Sequence, residues 1–112
     1  MEMVVTDLGN AAKLALSGRL DAAGVDRIET RFTAAVVPSG RNALVDLAEV
    51  SFCASMGIRM LLITARALRG RNARMVLFGA QPLVRESLQH AGIETLIPIA
   101  DSEPAAVELL KS

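Results

Sequence analysis

The 112-residue chain has no tryptophan, no tyrosine and only three phenylalanines. Single-stranded nucleic acids and sugars are gripped on aromatic platforms, so that absence argues against both as partners and makes the core aliphatic. Positive charge is not in excess either: Lys+Arg and Asp+Glu each number 12, for a formal net charge of +0. Polyanions reward surplus cation through counterion release, and anionic bilayers do so through their surface potential. Neither direct nucleic-acid binding nor a membrane surface is expected. Cysteine is scarce, and the lone Cys53 cannot form an internal disulfide. With no charged and apolar leader at its start, the sequence predicts a cytoplasmic protein. The apolar runs are short and broken by Arg, Asp or Pro, far below the ~20 residues that cross a bilayer, so no membrane span is expected.

Enzyme motifs are missing as well. There is no glycine-rich phosphate loop, no G-x-G-x-x-G after a strand, no H-E-x-x-H and no cysteine pair. No catalytic residue, metal ligand or cofactor is therefore assigned. His90 is the only histidine, and it falls in the last turn of an expected helix, where the dipole favours a solvated imidazole. Pairing it with Cys53 as nucleophile and base is opposed by the apolar neighbours Phe52 and Ala54, which raise a thiol's pKa. The cluster Arg66, Arg69, Arg71 and Arg74 spans a helix end, and a solvated terminus accounts for it better than a phosphate site does.

What the chain does have is 52% hydrophobic residues in regular patterns. Met3–Thr6 and Lys13–Ser17 read as two strands around Gly9-Asn10, with Gly18 closing the second. Asp21 is a good N-cap for a helix whose apolar residues, Val25, Ile28, Phe32 and Val36, recur at helical spacing until Pro38-Ser39-Gly40. Ala43–Leu47 reads as a strand buried on both faces. A connector over Glu49–Ala54 leads to a helix from Ser55 to Gly70, then a buried strand over Arg74–Gly79. Pro82 and Gly92 bracket a third helix. Thr95–Ile99 reads as a last strand, and Asp101 or Ser102 caps a C-terminal helix. The order ββαβαβαβα implies one α/β domain with a mixed central sheet and four helices.

The Ser55 helix is unusual because two stripes on it are apolar. Ile58, Leu61, Leu62, Ala65 and Leu68 fall on one arc and can face the sheet, whereas Met56, Met60, Ile63 and Ala67 project to the opposite side. The second stripe is expected to be bare and to dock a protein partner or a second copy of the chain, in preference to being covered by a loop or terminus. At the head of the helix, the Ser55 hydroxyl can cap a free backbone N–H. The same position welcomes a phosphate through unpaired N–H groups and the helix dipole. A phosphoryl group there adds about 1.5 to 2 negative charges beside the apolar stripe and opposes docking.

These residues resemble a STAS domain of the bacterial anti-sigma factor antagonist type. Leu16 to Asp21 is similar to the family's Gly-x-Leu-Asp at the end of the second strand. Val45-Asp46-Leu47 through Phe52, followed by Ser55-Met56-Gly57-Ile58, is similar to its signature strand, connector and Asp-Ser-Ser/Thr-Gly-Leu turn. Leu77-Phe78-Gly79 through Leu88, Gly92-Ile93 and Ile97-Pro98-Ile99 resembles its closing strand, helix and strand. The chain departs from the pattern in having Ala54 where the family usually has Asp, and Met56 where it has Ser or Thr. The resemblance implies a non-enzymatic module whose phosphoacceptor is Ser55 and whose partner is an anti-sigma factor that is itself a serine kinase. It also implies a contact surface of Arg19, Leu20, Asp21, Ala54, Met56, Gly57, Met60 and Ile63. Gly57 is expected to let a partner's backbone approach, and Asp21 to serve as rim contact or as helix cap. Other STAS domains are regulatory subunits of ABC-type lipid transporters or of stress-sensing scaffolds, and that is the alternative the resemblance carries.

Overall fold

A computed structural model of the chain describes residues 1–111. Its elements are β1 (Glu2–Asp7), β2 (Ala11–Leu20), α1 (Ala22–Val36), β3 (Asn42–Cys53), α2 (Ser55–Arg69), β4 (Met75–Phe78), α3 (Pro82–His90), β5 (Ile99–Ala100) and α4 (Glu103–Lys111). The order ββαβαβαβα is the one expected. The strands lie in sequence order, β1-β2-β3-β4-β5, with β1 antiparallel to β2 and the rest parallel. The β1–β2 hairpin closes at Gly9-Asn10: the Leu8 N–H donates to the Ala11 carbonyl at 2.9 Å and the Gly9 N–H to Asp7 Oδ1 at 2.8 Å.

Three parallel crossovers stepping the same way along a sheet must, by the right-handed rule, put their helices on one face. The core agrees. Val25, Ile28 and Phe32 of α1, Met60, Leu61 and Leu68 of α2, and Val84 and Leu88 of α3 pack with Leu14, Leu16, Val45 and Leu77 in one buried cluster. Helix α4 covers part of the other face, over Leu44, Val76, Phe78 and Ala100. The Lys13 ammonium ties the sheet to α4 through Glu103 Oε1 at 2.7 Å.

Several boundaries differ from the sequence reading. Strand β2 runs past Gly18 to Leu20, and residues 49–53 are strand rather than connector. The cause is mutual: each tail supplies the hydrogen-bonding edge the other needs, from Ser17↔Glu49 to Leu20↔Cys53. Two register shifts, between Ala15 and Ser17 and between Gly18 and Arg19, bend this extension. The last strand is the reverse case. Residues Ile93–Thr95 form a 3-10 turn and only Ile99–Ala100 is strand. Pro98 cannot donate to the ladder, but its carbonyl accepts the Leu77 N–H at 3.0 Å, so pairing begins there. Gly70 is right-handed, and the left-handed residue after α2 is Asn72 (φ 60°), where the Ala73 N–H reaches back to the Leu68 carbonyl at 2.9 Å. Ser102, not Asp101, caps α4, its Oγ accepting the Ala105 N–H, while Asp101 pairs with Arg85.

Candidate docking site at the head of helix α2

The parallel strands end together at one edge of the molecule, and the paired tails of β2 and β3 carry the head of α2 there. The Ala54 N–H donates to the Leu20 carbonyl at 3.0 Å, which locks the start of α2 to the end of β2. Helices α1 and α2 both approach the Arg19-Leu20 tail closely, and each does so with a glycine three residues after its N-cap. A Cβ on Gly24 would collide with the Arg19 carbonyl oxygen. One on Gly57 would lie 2.6 Å from Leu20 Cγ and 2.8 Å from the Leu20 carbonyl oxygen. Gly57 is therefore spent on an internal contact. The expectation that it leaves room for a partner's backbone is corrected, because Leu20 already fills that room.

Helix α2 starts one residue earlier than a capping role for Ser55 requires. Ala54 is the N-cap and has no side chain to bond with, so Ser55 sits at the first helical position. Its side chain is exposed and its hydroxyl bonds to no other described residue. The first intrahelical acceptor, the Ala54 carbonyl, takes the N–H of Gly57 at 3.0 Å and of Ile58 at 3.1 Å. The N–H groups of Ser55 and Met56 precede those bonds and face the helix entrance unpaired by position. Asp21, by contrast, is a working cap: its Oδ1 accepts the Gly24 N–H at 2.9 Å. That bond, aided by the nearby Arg19 guanidinium, holds the Asp21 carboxyl below its usual pKa.

The second apolar stripe is divided. Met60 is 1% exposed, and Leu20 is wholly buried, so neither can touch a partner in the folded state. Helix α1 lies alongside α2, where the Thr33 and Thr64 hydroxyls meet at 3.2 Å, and Met60, one turn before Thr64, is buried in the core cluster that α1 shares. Met56 (45% exposed) and Ile63 (48%) remain outside, with Arg19 exposed and Asp21 and Ala54 half-buried at the rim. The structure adds residues that periodicity did not single out. Phe52 is exposed with the Arg19 guanidinium 4.4 Å above its ring, and Leu83 at the start of α3 is the barest large apolar side chain at 74%. Arg59, one turn after Ser55, lines an open groove with it; the i, i+4 spacing was the signal available in the sequence.

The weaker sequence candidates do not form a reactive centre. Cys53 and His90 line the same cleft of about 230 Å³, yet no hydrogen bond joins them among the described residues. Burial pushes the Cys53 thiol up to about 11, the opposite of an activated nucleophile. Of the four clustered arginines, Arg71 donates to the Pro38 carbonyl and Arg74 to the Leu109 carbonyl, Arg69 and Arg74 line one pocket with Glu94, and Arg66 lines a separate groove. No group of three or more His, Cys, Asp and Glu side chains among the described residues could hold a metal. No helix among them is long and apolar enough to cross a membrane.

Comparison with known proteins places this geometry. BtrV of Bordetella bronchiseptica, named for a role as anti-sigma factor antagonist, is 27% identical over 112 residues, covering 100% of this chain and 97% of its own. An anti-sigma factor antagonist from Mycobacterium paratuberculosis superposes with a TM-score of 0.89 at 21% identity, over 99% of this chain and 94% of that one. The anti-sigma factor antagonist SpoIIAA, unphosphorylated, gives a TM-score of 0.81 at 21% identity, over 98% and 96%. Its phosphorylated form, from Bacillus, gives 0.72 at 20% identity, over 96% and 98%. Residues 3–98 match the family model described as Mlab, STAS domain. A five-stranded mixed sheet flanked by helices is thus the shared scaffold, and the chain belongs to the STAS domain family.

Proposed function

We propose that this protein is an anti-sigma factor antagonist: a docking module that sequesters an anti-sigma factor serine kinase, frees a sigma factor, and is released when Ser55 is phosphorylated. The observation that carries the reading is the exposed Ser55 hydroxyl at the uncapped head of α2, beside the exposed Met56 and Ile63. In the phosphorylation step the Ser55 oxygen attacks the γ-phosphorus of the kinase's ATP, ADP leaves, and the hydroxyl proton passes to the kinase's base. The product gains a phosphate where unpaired N–H groups and the helix dipole favour it, and where its charge opposes burial against a partner. Of the inferred contact set, Arg19, Met56 and Ile63 are exposed and Asp21 and Ala54 half-buried, which supports this reading.

The test pairs the chain with the anti-sigma kinase of its source organism and ATP. Phosphate is expected on Ser55 by peptide mass spectrometry; Ser55→Ala should hold the kinase, and Ser55→Glu should release it. Phosphate on another residue, or a complex indifferent to both substitutions, defeats the proposal. Constant association with an ATPase whatever the state of Ser55 would instead favour the transporter-subunit role.

A further inference from the structure

The groove that begins at Ser55 has a chemical character of its own. It is an open furrow of about 440 Å³ along α2, reaching to Ala91, the residue just after α3. Ile58, Leu62 and Ile63 make an apolar floor, and Arg59 and Arg66 stand along its length. No carboxylate lines it, and neither guanidinium is in an ion pair among the described residues. This contrasts with Arg19, Arg41 and Arg85, each of which has a carboxylate partner. From Ile58 to Arg66 the furrow follows about two turns of α2, roughly 12 Å, which suits a helix laid in a groove rather than a small ligand.

We infer that this furrow docks an acidic amphipathic helix of the partner, apolar side chains on its floor and Asp or Glu against Arg59 and Arg66, and that phospho-Ser55 evicts that helix by taking Arg59 for itself. The inference rests on the phosphoswitch proposed above and names the partner's chemistry. Charge complementarity selects the occupant: a second copy docked groove to groove about a two-fold axis would set arginine against arginine. The eviction follows from spacing. Residues four apart on a helix are neighbours, so a phosphate on Ser55 reaches the Arg59 guanidinium in a charge-assisted bond and leaves a net negative charge at the mouth of the furrow. One modification thus removes a cation the partner needs and adds an anion it must avoid.

The probe is a stapled helix with Leu along one face and Glu on its flanks, alongside the same helix with Lys for Glu, each titrated into the full chain by fluorescence anisotropy. The Glu helix should bind, and the Lys helix about tenfold more weakly or not at all. Arg59→Glu combined with Arg66→Glu should reverse that preference, whereas Arg27→Glu on the exposed side of α1 should leave it unchanged. Phosphoserine installed at position 55 should weaken the Glu helix about tenfold or more, and by clearly less in an Arg59→Gln background. Thermal melts check that the exposed arginines can be replaced without unfolding. Equal binding of the two helices, binding of neither, or a double substitution without effect overturns the inference. If these fail while the source kinase still phosphorylates Ser55 and lets go, the groove assignment falls and the switch stands; loss of that release as well brings down both.

Discussion

At the residue scale the site depends on one missing side chain. Gly57 has no Cβ because Leu20 occupies the space, and the backbone hydrogen bond from the Ala54 N–H to the Leu20 carbonyl holds the two segments that close. Gly57→Ala should therefore destabilise the fold by about 1 to 3 kcal/mol despite alanine's better helix propensity, since both a side chain and a backbone oxygen must move. Urea unfolding measures it, and a neutral or stabilised variant would contradict the close approach. Cys53 makes a second prediction. Burial raises its thiol from 9.0 to about 11, so the folded state favours the neutral form. A raised pKa contributes stability that is complete below the unfolded value, near pH 9, and declines as the pH climbs towards 11. Native Cys53 should accordingly resist alkylation at pH 8 and react at the rate of a free thiol only after unfolding. Fast labelling of the native protein would show the thiolate to be available after all.

At the scale of elements, the decisive fact is that α1 lies against α2. Periodicity along α2 alone assigns Met60 to the open stripe with Met56 and Ile63, and nothing in those fifteen residues says which neighbour will claim which turn. The Thr33–Thr64 hydroxyl pair and the burial of Met60 settle it. Met60→Glu should then behave as a core mutation, costing about 3 kcal/mol or more through a carboxylate forced into an apolar site. Ile63→Glu should leave the melting temperature within a few degrees while altering docking. Circular dichroism melts of the two variants separate these roles, and equal tolerance would return Met60 to the surface. The extended tails of β2 and β3 teach the same lesson. Residues 49–52 alternate polar and apolar but are too few to declare a strand by themselves, and they become one because β2 reaches alongside them.

At the scale of the molecule, the fold separates switching from stability. Three helices and the main core occupy one face of the sheet, and Ser55 stands at its rim without contributing to either. Negative charge at the start of a helix is favourable, so Ser55→Glu should keep stability or raise it by about 0.3 to 1 kcal/mol while it weakens partner capture. Denaturant midpoints measured alongside binding test this; a variant that both unfolds and loses its partner would make the switch a stability effect. The accessible surface of 5830 Å² matches the value expected for a chain of this mass, so no unusual exposure accompanies the docking face. The apolar patches are small, local and placed beside charge, as a reversible contact requires.

Local chemistry along the chain was enough to determine the order of elements, the caps at Asp21 and Gly92, and the serine at the head of α2, because caps, turn residues and apolar period act over a few neighbours. Tertiary structure alone decided that Leu20, Gly57 and Met60 turn inward, that the last strand shrinks to two residues, and that the open furrow lies toward α3 rather than α1. Those outcomes depend on which elements pack side by side, and a helix's apolar period records how many faces it must bury without recording what will bury them.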